Sequence, residues 1–433
     1  MSQSNARSRN YITQLKGSVF FKCGAILATF LAMPIMIKYL GVEQFGIWST
    51  MLTLIGWVMM FDFGIGNGLK NKISESLARN DTQKAAGFIS TAYGLIGFIS
   101  IFLFFTFFSI SYYIPWQRVF NTQIISDDEL RYAAVALSFF VFSNFWISLV
   151  NQIYHGLQKS SFVTFGQFVS NVLALVFVVI LYYFYDTSLI KMVIVYGFAL
   201  LLSNGLLSFL IFSSNVNLKP NLKSFDSKKV YSLLSLGVKF FVIQLAVIVI
   251  FMTDKIIITQ LLGPENVTPY EVVFKLFSVF TILHSLILLP IWPAYSNAYA
   301  QGDFSWIRAT LKQQIKIAFA LFFGASLLSF LGPTIVSVWI GSDLMLDETL
   351  YIFFFGFIVV SVWSNVFAYF VNSVNKINVQ LFTSVIAAVI NIPMSIYFVS
   401  NLDMGLNGIV LATTISLSIY ALIGPFQVLR ILR

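Results

Sequence analysis

The segment Phe162 to Tyr185 reads FVTFGQFVSNVLALVFVVILYYFY and carries no ionisable side chain except tyrosine. A helix of about 20 apolar residues crosses the roughly 30 Å hydrocarbon core of a bilayer. Backbone groups in hydrocarbon must bond to one another, so a spanning segment is a helix or part of a closed barrel. The run is continuous and lacks the period-two alternation of a barrel strand, which decides for a helix. The same reading extends over the chain and predicts twelve spans, at 17–40, 45–66, 85–110, 131–153, 161–185, 190–212, 234–259, 270–293, 312–337, 349–374, 379–400 and 407–427. Across the 433 residues, 58% are hydrophobic and 10% are charged, against about a quarter charged in soluble domains. That balance excludes a cytosolic enzyme, a secreted disulfide scaffold and a nucleic-acid-binding module.

The cationic residues orient the spans. With the N-terminus placed in the cytoplasm, the cytoplasmic segments hold 18 of the 26 lysines and arginines, and the opposite loops hold Arg118 alone. This is the asymmetry of the positive-inside rule, and it places both termini in the cytoplasm. The net charge of +9 is therefore topological and calls for no nucleic-acid partner. The first apolar run lacks a small-residue cleavage pattern and reads as a retained helix, not a signal peptide. Cys23 is the single cysteine, which excludes an intrachain disulfide, and within its apolar run it reads as a small buried hydrophobe.

Two short motifs recur. Leu40-Gly41-Val42-Glu43 matches Leu262-Gly263-Pro264-Glu265, and Ala78-Arg79-Asn80-Asp81 matches Ala300-Gln301-Gly302-Asp303, both at an offset of 222 residues. A shared offset at equivalent topological places indicates an internal duplication. Six helices per copy give both copies the same orientation, related by an axis along the membrane normal. The expected fold is thus an all-α polytopic membrane protein with two pseudo-symmetric six-helix bundles and a central cavity. The expected parts are a cytoplasmic segment at 1–16, an N-lobe at 17–212, a cytoplasmic linker at 213–233, a C-lobe at 234–427 and a cytoplasmic tail at 428–433. The stretches around 67–84, 213–233 and 294–311 read as cytoplasmic loops.

Buried charge points to function, because ionisable groups are costly in hydrocarbon. It gathers on the first two helices of each copy: Lys22, Lys38 and Asp62 in the first, and Lys239, Asp254, Lys255, Glu271, Lys275 and His284 in the second. These helices are expected to line one aqueous cavity. Lysines outnumber carboxylates there, which favours an anionic cargo such as a phosphate or diphosphate. Lys22 and Lys239 read either as cargo ligands or as snorkelling anchors, and Lys255 and Lys275 as cavity-lining. Asp254 reads either as a coupling carboxylate or as the partner of Lys255 or Lys275. Asp62, before the Gly64-Gly66-Gly68 series, reads as a gating group or a helix terminator. Glu271 suits a helix start. His284 is the most central titratable group, read as a proton relay or a hydrogen-bonded structural histidine. Pro34 should kink the first helix and could serve as a hinge.

Absences narrow the chemistry. The sequence has no GxxxxGK[ST] loop, no HExxH or CxxC spacing and no Ser/His/Asp constellation, so no catalytic residue, metal or cofactor is assigned. Two stretches carry a resemblance. Tyr39-Leu40-Gly41-Val42-Glu43-Gln44-Phe45-Gly46-Ile47-Trp48 and Asp62-Phe63-Gly64-Ile65-Gly66-Asn67-Gly68-Leu69 resemble the polysaccharide-transport family, O-antigen flippase type, of the multidrug/oligosaccharidyl-lipid/polysaccharide exporter superfamily. The resemblance implies a bacterial inner-membrane flippase for an undecaprenyl-diphosphate-linked glycan, moved to the periplasmic leaflet and coupled to a proton or sodium gradient. It also implies membrane lipids, a polysaccharide polymerase and a chain-length regulator as partners. The alternatives are a multidrug exporter of the same superfamily, a polytopic polymerase or acyltransferase, and a lipid II flippase relative. The lysine excess argues against the first, outer loops without histidine against the second, and chain length against the third.

Overall fold

The protein is described from a computed structural model covering residues 3–60, 65–234, 253–289, 291–341, 344 and 346–432. Its secondary structure among these residues is helical, and the chain divides into two compact units, 1–242 and 243–433. Ten described helices are long and apolar enough to cross a membrane. They coincide with ten of the twelve expected spans. The second expected span begins as the helix Val42–Met60 and runs into residues 61–64, which lie outside the described residues. Most of the seventh also lies outside them.

In the first unit the long helices are α1 (Gln3–Leu40), α2 (Val42–Met60), α4 (Thr82–Ser111), α6 (Asp127–Ile147), α8 (Ser160–Phe184) and α9 (Leu189–Ser214), with short α3 (Ile65–Ala78), α5 (Trp116–Phe120), α7 (Leu149–Gly156) and α10 (Ser227–Leu234). Helix α4 shows what the composition demands. Ala85, Phe88, Ile89, Ala92 and Ile96 are buried on one face, while Phe98, Ile101, Phe102, Phe105 and Phe108 are 55–71% exposed along another. A helix apolar on both its packed and its open face is one solvated by lipid. Cys23 corrects the sequence reading: it is exposed on α1, so it contributes no packing. The helix α1 continues through Pro34.

Small and polar residues bring the helices together, as expected where lipid competes for apolar contact. A Cβ on Gly24 would lie 2.7 Å from the Phe168 ring, and one on Gly197 would lie 2.1 Å from that of Phe140. Asn171 Nδ2 of α8 donates to Ala25 O and Thr29 Oγ1 of α1, each at 3.0 Å.

The expected loop at 67–84 is largely the amphipathic helix α3. Ile65, Leu69 and Ile73, spaced one turn apart, are buried against α4 and α7, while Lys70, Glu75 and Arg79 stay exposed. A whole-window hydropathy average hides such a stripe because its polar face cancels it. The expected loop at 294–311 likewise contains helix and is not open chain. The expected span at 131–153 is divided at Ser148, whose N–H bonds Asn144 O and whose carbonyl accepts from Asn151 N.

The second unit contains α11 (Asp254–Leu261), α12 (Val267–Leu288), α13 (Ile291–Ala300), α14 (Phe304–Trp339), α15 (Thr349–Ser373), α16 (Asn378–Ser400) and α17 (Gly405–Ile431). Its interior includes Tyr270, Phe274, Phe277, Phe354 and Phe357, whose rings meet in tilted, stacked and edge-on pairs.

The recurring motifs share backbone features. Gly41 and Gly263 both have positive φ, at 76° and 95°. Asn80 and Gly302 do too, at 61° and 72°, and each ends a helix in the left-handed conformation. The next residue bonds back in the same way, Asp81 N to Ser76 O and Asp303 N to Ala298 O. Each aspartate then caps the following helix, accepting from Lys84 N at 2.8 Å and from Trp306 N at 3.0 Å. One sequence signal thus encodes a helix stop and the next helix start in each unit.

Candidate functional site

The polar centre of the second unit forms around the start of α11. Asp254 is 2% exposed, a burial a carboxylate tolerates only when it is bonded. Tyr270 OH of α12 donates to its Oδ2 at 2.8 Å, and Thr413 Oγ1 of α17 lies 3.2 and 3.3 Å from its two oxygens. Asn391 of α16 extends the network, its Nδ2 donating to Thr413 Oγ1 at 3.1 Å. Asn391 is fully buried, and its Oδ1 has no hydrogen-bond partner among the described residues. Four helices therefore join in one network around this carboxylate, and the Asn391 amide oxygen at its end is open.

Lys255, next in the chain, meets a second carboxylate. Its Nζ lies 2.6 Å from Glu271 Oε2, with both side chains 17% exposed. The contact is an ion pair without hydrogen-bond geometry, held by charge. Asp254 is thus held by hydroxyl groups that neither sequence reading named, and Glu271 lies against a lysine. Lys275 is half-buried on α12. His284 lies deeper on α12 with no exposed surface, and neither ring nitrogen has a hydrogen-bond partner among the described residues.

In the first unit, Lys22 of α1 is half-buried and donates to Gln167 Oε1 of α8 at 3.0 Å. No carboxylate pairs with it among the described residues. A neutral amide steadies the ammonium without cancelling its charge. A second polar centre consists of amides alone. Asn151 Nδ2 donates to Asn204 Oδ1 at 3.1 Å, and Asn204 Nδ2 donates to Asn144 Oδ1 at 2.7 Å.

The structure thus groups Asp254 with Lys255 and places Lys22 in the other unit. Pro34 lies farther along α1. Lys239 and Asp62 lie outside the described residues. Sequence reasoning passed over Tyr270, Thr413, Asn391 and the asparagine chain because it searched for charge. The available signal was polar side chains inside apolar spans, which need partners as ions do. No group of three or more His, Cys, Asp or Glu that could hold a metal occurs among the described residues. The oxygens of Asp254, Thr413 and Asn391 are the hard ligands that suit a proton or a small monovalent cation.

A family model described as "Polysaccharide biosynthesis protein" matches residues 18–298, and one described as MatE matches 240–397. A candidate O-antigen export protein of Yersinia pseudotuberculosis is 24% identical, aligned over 82% of this chain and 81% of its own. A candidate O-antigen transporter of Salmonella typhimurium is also 24% identical, over 89% and 88%. Among solved structures, an inward-facing multidrug resistance MATE family transporter of the MOP superfamily superposes with a TM-score of 0.78 at 15% identity, covering 94% of each chain. A MOP superfamily transporter from Pyrococcus furiosus superposes with a TM-score of 0.61, also at 15% identity, covering 96% of each.

Proposed function

The chain belongs to the polysaccharide biosynthesis protein family, and on that premise we propose that it is a flippase for a lipid-linked glycan. The cargo is carried on undecaprenyl diphosphate and passes from the cytoplasmic to the periplasmic leaflet of the inner membrane by alternating access. The observation that carries this reading is the match to two O-antigen export relatives over four fifths or more of their length. The ten membrane-length helices and the transporter relatives support a multi-pass membrane protein of transporter type.

Lys22 is the preferred diphosphate ligand of the described lysines, because its partner Gln167 is neutral and phosphate oxygens favour charge-assisted bonds. Lys239 and Lys275 keep the same proposed role. Lys255 is less suited, since Glu271 already pairs with it. The coupling cation, proton or sodium, is taken at Asp254, where Thr413 and the open oxygen of Asn391 complete an oxygen-rich site. His284, Asp62 and Pro34 stay as proposed relay or gating positions.

A multidrug/cation antiporter is the second reading, favoured by the MatE match over 240–397. The test is complementation in a bacterium lacking its O-antigen flippase. Restored surface glycan with cleared lipid-linked precursor supports the flippase. Raised drug resistance with no glycan supports the antiporter and overturns the first reading.

A further inference from the structure

One repeat in the sequence lies outside the turns. Val141-Phe142-Ser143-Asn144 and Val150-Asn151 match Val362-Trp363-Ser364-Asn365 and Val371-Asn372, at an offset of 221 residues. The two asparagines of each copy are seven residues apart, two helical turns, and so share one helix face. Each unit has a pocket lined by the first asparagine of its motif, Asn144 or Asn365. In the first unit it holds about 270 Å³, with Asn144, Ser148, Asn151, Gln152 and Asn204 on its wall. In the second it holds about 260 Å³, with Ser278, Thr281, Ser361, Ser364 and Asn365 set against Phe274 and Phe357. Among the described residues neither lining contains an ionisable group. Both volumes fall just below the roughly 300–1,000 Å³ of sites for drug-sized molecules, which leaves space for a small neutral group.

We propose that these two pockets are equivalent neutral subsites, one in each unit, that take uncharged sugar hydroxyl and acetamido groups. In the first, the chain from Asn151 through Asn204 to Asn144 runs one way. It leaves the Asn144 amide N–H at one end and the Asn151 carbonyl at the other, and adjacent sugar hydroxyls both accept and donate. In the second, Ser278 and Thr281 bond back to their own helix, at 2.7 and 2.8 Å. Ser361 and Ser364 do not, and their buried hydroxyls have no hydrogen-bond partner among the described residues. A buried hydroxyl without a partner is costly, and a ligand hydroxyl would relieve that cost. Helix–helix adhesion accounts for the asparagine chain, but not for two buried serines without a partner among the described residues on the wall of an open pocket. The aromatic rings supply the flat apolar surface that the C–H face of a sugar prefers.

The inference rests on the glycan-flippase reading, and its test separates the two. The full chain in lipid nanodiscs is titrated with bare undecaprenyl diphosphate and with the same lipid carrying three N-acetylglucosamine units. The glycosylated lipid should bind about fivefold tighter or more, the scale of a single net hydrogen bond. Asn365→Leu and the double variant Ser361→Ala/Ser364→Ala should erase that gain and keep the affinity for the bare lipid. Asn144→Leu should do the same. If breaking the amide chain unfolds that variant, the serine pair still decides, because those substitutions remove no existing bond. Equal binding of both lipids by the unmodified protein overturns the subsites and leaves the flippase intact. A gain retained in the variants overturns the subsites too. Binding of neither lipid overturns the flippase reading, and the subsites with it.

Discussion

The two units share their turns and differ in what they bury. Both end a helix at a glycine of positive φ, Gly41 or Gly263, and both restart a later helix on an aspartate cap, Asp81 or Asp303. Inside, the first unit keeps amides, with Lys22 on Gln167 and Asn204 between Asn144 and Asn151. The second keeps charge, with Asp254 caged by hydroxyls and Lys255 closed against Glu271. The two units share the turns, since a turn needs only local backbone geometry. Their interiors differ, and coupling and cargo functions are proposed where they do.

The largest expected effect breaks the charged side of this contrast. Asp254→Leu removes the acceptor shared by Tyr270 and Thr413. Gradient-driven transport in proteoliposomes should fall by about 100-fold, as the loss of two charge-assisted bonds warrants. Transport that keeps its gradient dependence would exclude Asp254 from coupling.

Next comes the open lysine against the closed one. Lys22→Ala should cut glycan export about tenfold at unchanged membrane abundance, with Lys22→Arg retaining most of it. Export unaffected by Lys22→Ala would return that lysine to a snorkelling role. Lys255→Met leaves Glu271 without its partner and should cost about 3 kcal/mol of stability, whereas Lys255→Met with Glu271→Met should be near neutral. Thermal unfolding in detergent measures both, and a double variant as unstable as the single one contradicts the closed pair.

The shared turns should show smaller effects. Gly302→Ala places a Cβ in a left-handed conformation and should cost about 1 kcal/mol, while Gly302→Asn should cost less, as the resident Asn80 of the other unit suggests. Similar melting temperatures for the two substitutions would argue against a left-handed turn.

The smallest effect is a pH dependence at Asp303. Its carboxyl is held below its ordinary value by the Ser305 hydroxyl bond and then by the Trp306 N–H. A depressed pKa contributes stability above the unfolded value of about 4, and that contribution is lost as pH falls through the lower folded value. Asp303→Asn should therefore flatten the melting temperature between about pH 5 and pH 3. An unchanged acid limb would show that the cap does not titrate there.

Much of the scaffold was legible along the chain. Hydropathy is a local sum, so apolar runs marked the ten membrane-length helices to within several residues. The Gly41/Gly263 and Asp81/Asp303 motifs were legible because a cap needs only neighbouring residues. Helix α3 was missed because Ile65, Leu69 and Ile73 are interleaved with lysines. Asp254 is buried as a charge read inside a span should be, and its hydroxyl partners Tyr270 and Thr413 were not legible, since they lie on other helices.

The amino-acid order alone determined a lipid-solvated helical chain, where its membrane-length helices fall and where its recurring turns lie, because those properties depend on residues a few positions apart. Tertiary structure decided which polar groups meet. Thr413 reaches Asp254 across 159 residues, and Gln167 reaches Lys22 across 145. Such pairings depend on how each helix is rotated and packed against its neighbours, and spacing along one helix does not encode that rotation.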